Sequence, residues 1–110
     1  MSAPHNHEPG AEPRGPTWDL RLYVTAGAPK CVAAIDNLQR ACERYLEGRY
    51  RLEIVDLLAN PRRAADDQVV AVPTLVRRLP EPPGRVVGDL SDTPRLLAGL
   101  QIALRPGEAT

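Results

Sequence analysis

The stretch Gln68-Val69-Val70-Ala71-Val72-Pro73-Thr74-Leu75-Val76 constrains this chain most, because it is an almost unbroken apolar run with a proline set inside it. Its β-branched residues suit a strand, and the residue before a proline is pushed towards extended geometry. A helix starting afresh at Pro73 is equally consistent, since proline fits the first helical position and Leu75 and Leu79 then stack at i, i+4. The two readings stay open, and the arrangement of every later element depends on which holds.

The part before this stretch reads more simply. From Trp18 to Thr25 apolar and polar residues alternate, with Trp18, Leu20, Leu22 and Val24 on one face and Asp19, Arg21, Tyr23 and Thr25 on the other, which is a strand pattern. Ala26-Gly27-Ala28 makes a turn, and Pro29 opens a helix that runs to about Glu47 and is stopped by Gly48. Cys31, Ile35, Leu38, Cys42 and Tyr45 form its apolar stripe. Tyr50 to Asp56 alternates again, so the first half is a βαβ unit with two parallel strands and a right-handed crossover. Asn60-Pro61 is an N-cap followed by proline, which predicts a short helix through about Gln68 with Ala64, Ala65 and Val69 inward. Beyond the opening stretch, Pro80, Pro82, Pro83 and Gly84 make a stiff turn before Arg85-Val86-Val87-Gly88, so the two extended pieces pair as an antiparallel hairpin.

The final apolar segment is ambiguous as well. Leu96, Leu100, Ala103 and Leu104 make a helical face, yet Leu96, Ala98, Leu100, Ile102 and Leu104 also alternate strictly. Gly99 would cost a helix about 1 kcal/mol relative to alanine, so Gly99→Ala is expected to favour the helical reading.

At 110 residues the chain is expected to hold one domain, over 17–104, between a disordered tail of residues 1–16 and a flexible tail of residues 105–110. The first sixteen residues carry four prolines, two glycines and two histidines, too little apolar surface to offset the entropy of ordering. His5 and His7 supply neither the ligand count nor the fixed geometry of a metal site, and no metal or other cofactor is expected. Fourteen basic and fourteen acidic side chains cancel, which argues against nucleic acid as partner. No apolar run reaches the ~20 residues that span a bilayer, and no secretory pattern opens the chain, so a cytoplasmic protein is expected.

A β-α-β-α-β-β-α order with Val-Pro-Thr before the third strand resembles the thioredoxin-like α/β fold, in which a proline at this place is commonly cis and faces the end of the first helix. A thiol oxidoreductase needs a low-pKa cysteine at that helix end with a partner two residues away. Ala28-Pro29-Lys30-Cys31 offers only Cys31, and Cys42 lies about 16 Å further along the helix at 1.5 Å per residue. Both cysteines therefore read first as core residues, with a redox role of Cys31 as the alternative. Asp66-Asp67 and the pairs Arg62-Arg63 and Arg77-Arg78 read as solvated, and Gly88-Asp89-Leu90-Ser91-Asp92 as helix capping. No catalytic constellation emerges.

Six motifs in order carry a family resemblance. Leu22-Tyr23-Val24, Pro29, Ile54-Val55-Asp56-Leu57-Leu58-Ala59-Asn60-Pro61, Val72-Pro73-Thr74-Leu75-Val76, Leu79-Pro80 with Pro82, Gly88-Asp89-Leu90-Ser91-Asp92 and Leu97-Ala98-Gly99-Leu100 resemble the circadian clock protein KaiB family across Asp19 to Ala103. The resemblance implies a non-enzymatic module that docks on a KaiC-type ATPase in clock or clock-derived signalling, with related domains at the sensor end of clock-linked histidine kinases. It implies docking in the thioredoxin-like state through the second strand and neighbouring helix ends, with Arg51, Glu53, Gln68 and Ala33 as partner-binding positions. It further implies exchange with a second arrangement, β-α-β-β-α-α-β, that self-associates as a dimer or tetramer, with Pro73, Gly99 and Gln101 at the fold-switch positions. The family's Gly-Leu-Asp near the carboxy end reads Gly99-Leu100-Gln101 here. A sensor or interaction domain with a different partner remains a further alternative.

Overall fold

A computed structural model describes residues 17–102. The expected tails, the two histidines, Ala103 and Leu104 lie outside the described residues. The elements are β1 (Trp18–Val24), α1 (Pro29–Tyr45), β2 (Tyr50–Asp56), a 3₁₀ helix (Pro61–Asp66), β3 (Thr74–Leu79), β4 (Gly84–Val87) and α2 (Thr93–Gly99). The sheet order is β2-β1-β3-β4. β1 and β2 run parallel, as a strand-helix-strand crossover requires, and β3 and β4 are antiparallel to their neighbours. This is the thioredoxin-like β-α-β-α-β-β-α arrangement, with a 3₁₀ helix in the fourth place.

Both α-helices cover one face of the sheet. Trp18, Leu20, Leu22 and Val24 of β1 meet Cys31, Ala34, Leu38 and Cys42 of α1 and Leu96 of α2 in one buried cluster. The stripe on α1 follows from its i, i+3, i+4 spacing, and the helix ends at Tyr45 with Leu46 as C-cap, two residues before the glycine expected to stop it. Tyr23, Val55 and Val76 form a second, smaller cluster on the other face. The face of β1 that reads as polar is thus covered too, and Tyr23 is completely buried.

That cover comes from Leu57 just after β2 and from Val69 and Val72 in the irregular segment after the 3₁₀ helix. The helix predicted through Gln68 is a single six-residue 3₁₀ stretch with no buried residue, and Asn60 makes no side-chain cap. Ala65 is exposed, while Ala64 and Val69 are only half-buried. Two alanines offer too little apolar area to fix an amphipathic helix, and the segment is held by polar contacts instead.

The opening stretch resolves into two parts. Only Thr74 onwards is a strand; residues 68–73 form an irregular connection in which Gln68 has φ 55° and Val70 is 96% exposed. Val69 and Val72 pack against the second cluster. Pro73 has no N–H to give to the ladder, so pairing starts after it. The Thr74 hydroxyl donates to Ala71 O at 2.6 Å, and the Gly88 N–H to Pro73 O at 2.9 Å. The Val72–Pro73 bond is cis, as are Leu79–Pro80 and Glu81–Pro82.

The carboxy end is neither the long helix nor the strand that its two periods allow. Asp92 caps α2 by accepting from the Arg95 N–H, the helix stops at Gly99, and Leu100 follows as C-cap. Gln101 then takes φ 60°, a left-handed conformation that ends the helix, and Ile102 packs on the main cluster. The expected benefit of Gly99→Ala meets an obstacle, because a Cβ at Gly99 would overlap Val86 Cγ2. Val86 is buried and β-branched, so it yields only with a rotamer change.

Candidate functional site

Among the described residues β2 is an edge strand, paired with β1 on one side only. Its outer edge offers unpaired backbone groups over seven residues, the geometry that accepts a further strand or an inserted chain. Arg51 and Glu53 are exposed on one face of it, and Ile54 is 39% exposed on the other.

The parallel register sets Arg21 beside Glu53, and a network grows from that pair. Arg21 Nε donates to Glu53 Oε1 at 3.1 Å, and Arg63 Nη1 donates to Glu53 Oε2 at 3.1 Å. Arg63 Nε reaches Asp66 Oδ2 at 2.6 Å. Arg21 Nη1 donates to Asp67 Oδ2 at 3.1 Å and to Tyr23 OH at 3.2 Å, and the Tyr23 hydroxyl donates to the same Asp67 oxygen at 2.6 Å. On the far side Arg85 Nη2 donates to Asp67 O at 2.7 Å and Nη1 to Gln68 O at 3.4 Å. The 3₁₀ helix and Gln68 are therefore fastened to β1, β2 and β4 by charge-assisted bonds.

These contacts set the electrostatics. Arg63, then Arg21, hold the Glu53 carboxyl below the usual carboxylate range. Burial and the hydrogen bond to Asp67 push the Tyr23 phenol up. Arg21 and Arg63 meet the carboxylates of Glu53, Asp66 and Asp67 while Arg85 binds backbone carbonyls, so the formal charges of these six side chains cancel and Arg51 adds a positive charge at the edge.

The structure brings Arg51, Glu53 and Gln68 to the face that carries the 3₁₀ helix. Ala33 is half-buried on α1, which packs on the opposite face, so the four expected positions do not form one patch. Pro73 is buried at the start of β3, and Gly99 and Gln101 lie at the end of α2 beside β4. Asp67 corrects its reading as a solvated carboxylate: its side chain is only 15% exposed, with Tyr23 and Arg21 on it. Arg77, read as half of a solvated basic pair, is buried. Arg21, Tyr23 and Asp67 were missed because the β1–β2 register and the path of the 3₁₀ segment decide their meeting, and neither is visible in spacing.

Nucleophilic chemistry finds no foothold among the described residues. Cys31 is 2% exposed and its sulfur accepts from the Thr25 N–H at 3.3 Å. Cys42 is buried in the main cluster, and burial pushes its thiol up to about 12. An open cleft of about 610 Å³ between α1 and the start of α2 is lined by Asn37, Arg40, Tyr45, Ser91 and Leu96 among others, with no cysteine, histidine or carboxylate. No described helix is long and apolar enough to cross a membrane.

The KaiB domain family matches residues 21–102. The chain is 41% identical over 83 residues to the circadian clock protein KaiB3 of Synechocystis sp., covering 76% of this chain and 81% of that protein. It is likewise 41% identical over 86 residues to the circadian clock oscillator protein KaiB of Nostoc sp., covering 78% and 80%. Among solved structures, mitochondrial thioredoxin 3 from Saccharomyces cerevisiae superposes with TM-score 0.63 at 18% identity over 78% of each chain. The N-terminal domain of Synechococcus elongatus SasA gives 0.57 at 22% identity, over 87% of this chain and 92% of that domain. These two likenesses concern the fold.

Proposed function

This chain belongs to the KaiB family, and from that membership we propose that it is a non-enzymatic binding protein that docks on a KaiC-type ATPase in clock or clock-derived signalling. The observation that carries the reading is the extent of the match, which runs from Arg21 within β1 to Ile102. The geometry supports the open edge of β2, with Arg51 and the connection around Gln68 and Val70, as the surface offered to the partner. Glu53 acts there indirectly, by holding Arg21 and Arg63 in place. The redox alternative loses support from the covered sulfur of Cys31 and from the absence of a cysteine partner among the described residues.

Exchange with the β-α-β-β-α-α-β arrangement belongs to the same proposal, with self-association in that second state. The irregular segment before Pro73 and the early stop of α2 at Gly99 support it, since both leave regular structure incomplete in the carboxy-terminal half.

Co-elution with the KaiC-type ATPase of the same organism tests the docking. The wild type is expected to co-elute and Arg51→Glu to bind roughly tenfold more weakly, as expected for a charge reversed at an interface. A wild type that stays free of the ATPase in every nucleotide state sinks the proposal.

A further inference from the structure

α2 is seven residues long, well below the ~12–15 residues at which an isolated helix becomes even marginal in water. Its amino end has the Asp92 cap, and at its carboxy end the left-handed turn at Gln101 satisfies two of the last carbonyls, Gln101 N–H donating to Ala98 O at 3.0 Å and Ile102 N–H to Leu97 O at 2.9 Å, which leaves those of Gly99 and Leu100. Two side chains from distant parts of the chain take these two. The Trp18 indole N–H donates to Leu100 O at 2.7 Å across 82 residues of sequence, and Arg77 Nη1 donates to Gly99 O. Both donors are buried, Trp18 at 8% and Arg77 at 4% exposure.

Arg77 has no carboxylate partner among the described residues. Its other donors go to Pro80 O at 3.0 Å and to Pro82 O, so one guanidinium joins the end of β3, the proline-rich turn and the end of α2 through carbonyls alone. A buried charge compensated in this way loses much of its support when any one of those pieces leaves. Trp18 is anchored on the other side, its backbone N–H donating to Arg49 O at 2.8 Å and its ring lying under the Arg49 guanidinium.

We propose that Trp18 and Arg77 form a two-donor latch on the carboxy end of α2, and that this latch sets how readily the helix leaves the sheet. Its consequence for the choice between folds rests on the exchange reading above, because α2 has to be released before its residues can pair differently. The latch itself is a property of this fold alone. Trp18 is the fixed side, lying in the βαβ half, and Arg77 links the two ends of the carboxy-terminal half.

Native-state amide hydrogen exchange tests it on the full chain. Replacing Trp18 by 3-benzothienylalanine keeps the bicyclic shape and deletes the N–H; Arg77→Lys keeps the charge and loses the fork. In both variants the amides of Leu96, Leu97 and Leu100 should exchange roughly tenfold faster or more, while those of Leu22, Leu38 and Val55 change by less than about twofold. Equal acceleration at all six positions, or none at α2, overturns the latch. A second set of backbone resonances with extended shifts at residues 96–100 is expected to grow in the same variants. Faster α2 exchange without that second set upholds the latch and counts against the exchange of folds.

Discussion

Replacing Tyr23 by phenylalanine removes one atom from the face that fastens the proposed docking surface. Tyr23 is completely buried, and its hydroxyl gives a 2.6 Å bond to a carboxylate that Arg21 also holds. A hydrogen bond to a charged group contributes about 1.5–3 kcal/mol. The Arg21 and Asp67 side chains keep 15% exposure, so water can partly replace the hydroxyl and the lower end applies, about 1.5–2 kcal/mol. For a domain of this size that is a fall in Tm of about 6–16 °C. Urea unfolding followed by the single tryptophan measures it, with Asp67→Ala and the double variant completing a cycle. The cycle should give a coupling of about 1 kcal/mol or more between the two positions. A loss for Tyr23→Phe within about 0.3 kcal/mol, or strictly additive effects, refutes the claim that this network fastens the segment around Gln68.

Alkaline pH should weaken the fold. The Cys42 thiol is raised by burial, so its contribution is fully present below its ordinary value near 9 and is lost as pH rises towards about 12, as the unfolded chain ionises first. Tyr23 acts in the same direction, and Cys42→Ala should make the decline shallower; an unchanged slope between pH 8 and 11 would show that the buried thiol contributes nothing. In acid, Arg63→Ala should raise the pKa of Glu53 towards the ordinary range in an NMR titration, since Arg63 is the main cause of its depression, and an unmoved Glu53 removes that ion pair from the account. Gly99→Ala should be better tolerated by about 1 kcal/mol or more in a Val86→Ala background than alone, because the added methyl then has room; strict additivity in urea contradicts the contact.

The first half of the fold is legible in the sequence because alternation and the 3.6-residue stripe agree with what packs. Trp18, Leu20, Leu22 and Val24 do face α1, and Cys31, Leu38 and Cys42 do meet them. The hairpin of β3 and β4 was equally readable from its prolines and Gly84. The rest was hidden for particular reasons. Residues 68–73 are apolar yet irregular, since Pro73 denies the ladder a donor and the run has no single face to bury. The carboxy end fits two periods because small and aliphatic residues alternate there, and the left-handed turn at Gln101, with Trp18 and Arg77 on the carbonyls of Leu100 and Gly99, is not visible in spacing. The candidate surface is visible only in part. Arg51 and Glu53 can be placed on one face of a strand by parity alone, but Asp67 joins them through tertiary path, and Ala33 is carried to the other side of the sheet by α1.

Docking through the β2 edge is tested most directly by hydrogen exchange of this chain with and without the KaiC-type ATPase bound. Protection is expected at residues 51–58 and 67–72, with the exposed side of α1 around Asp36 and Arg40 unchanged. Protection confined to α1 and the cleft beside α2, or protection nowhere, would contradict the account.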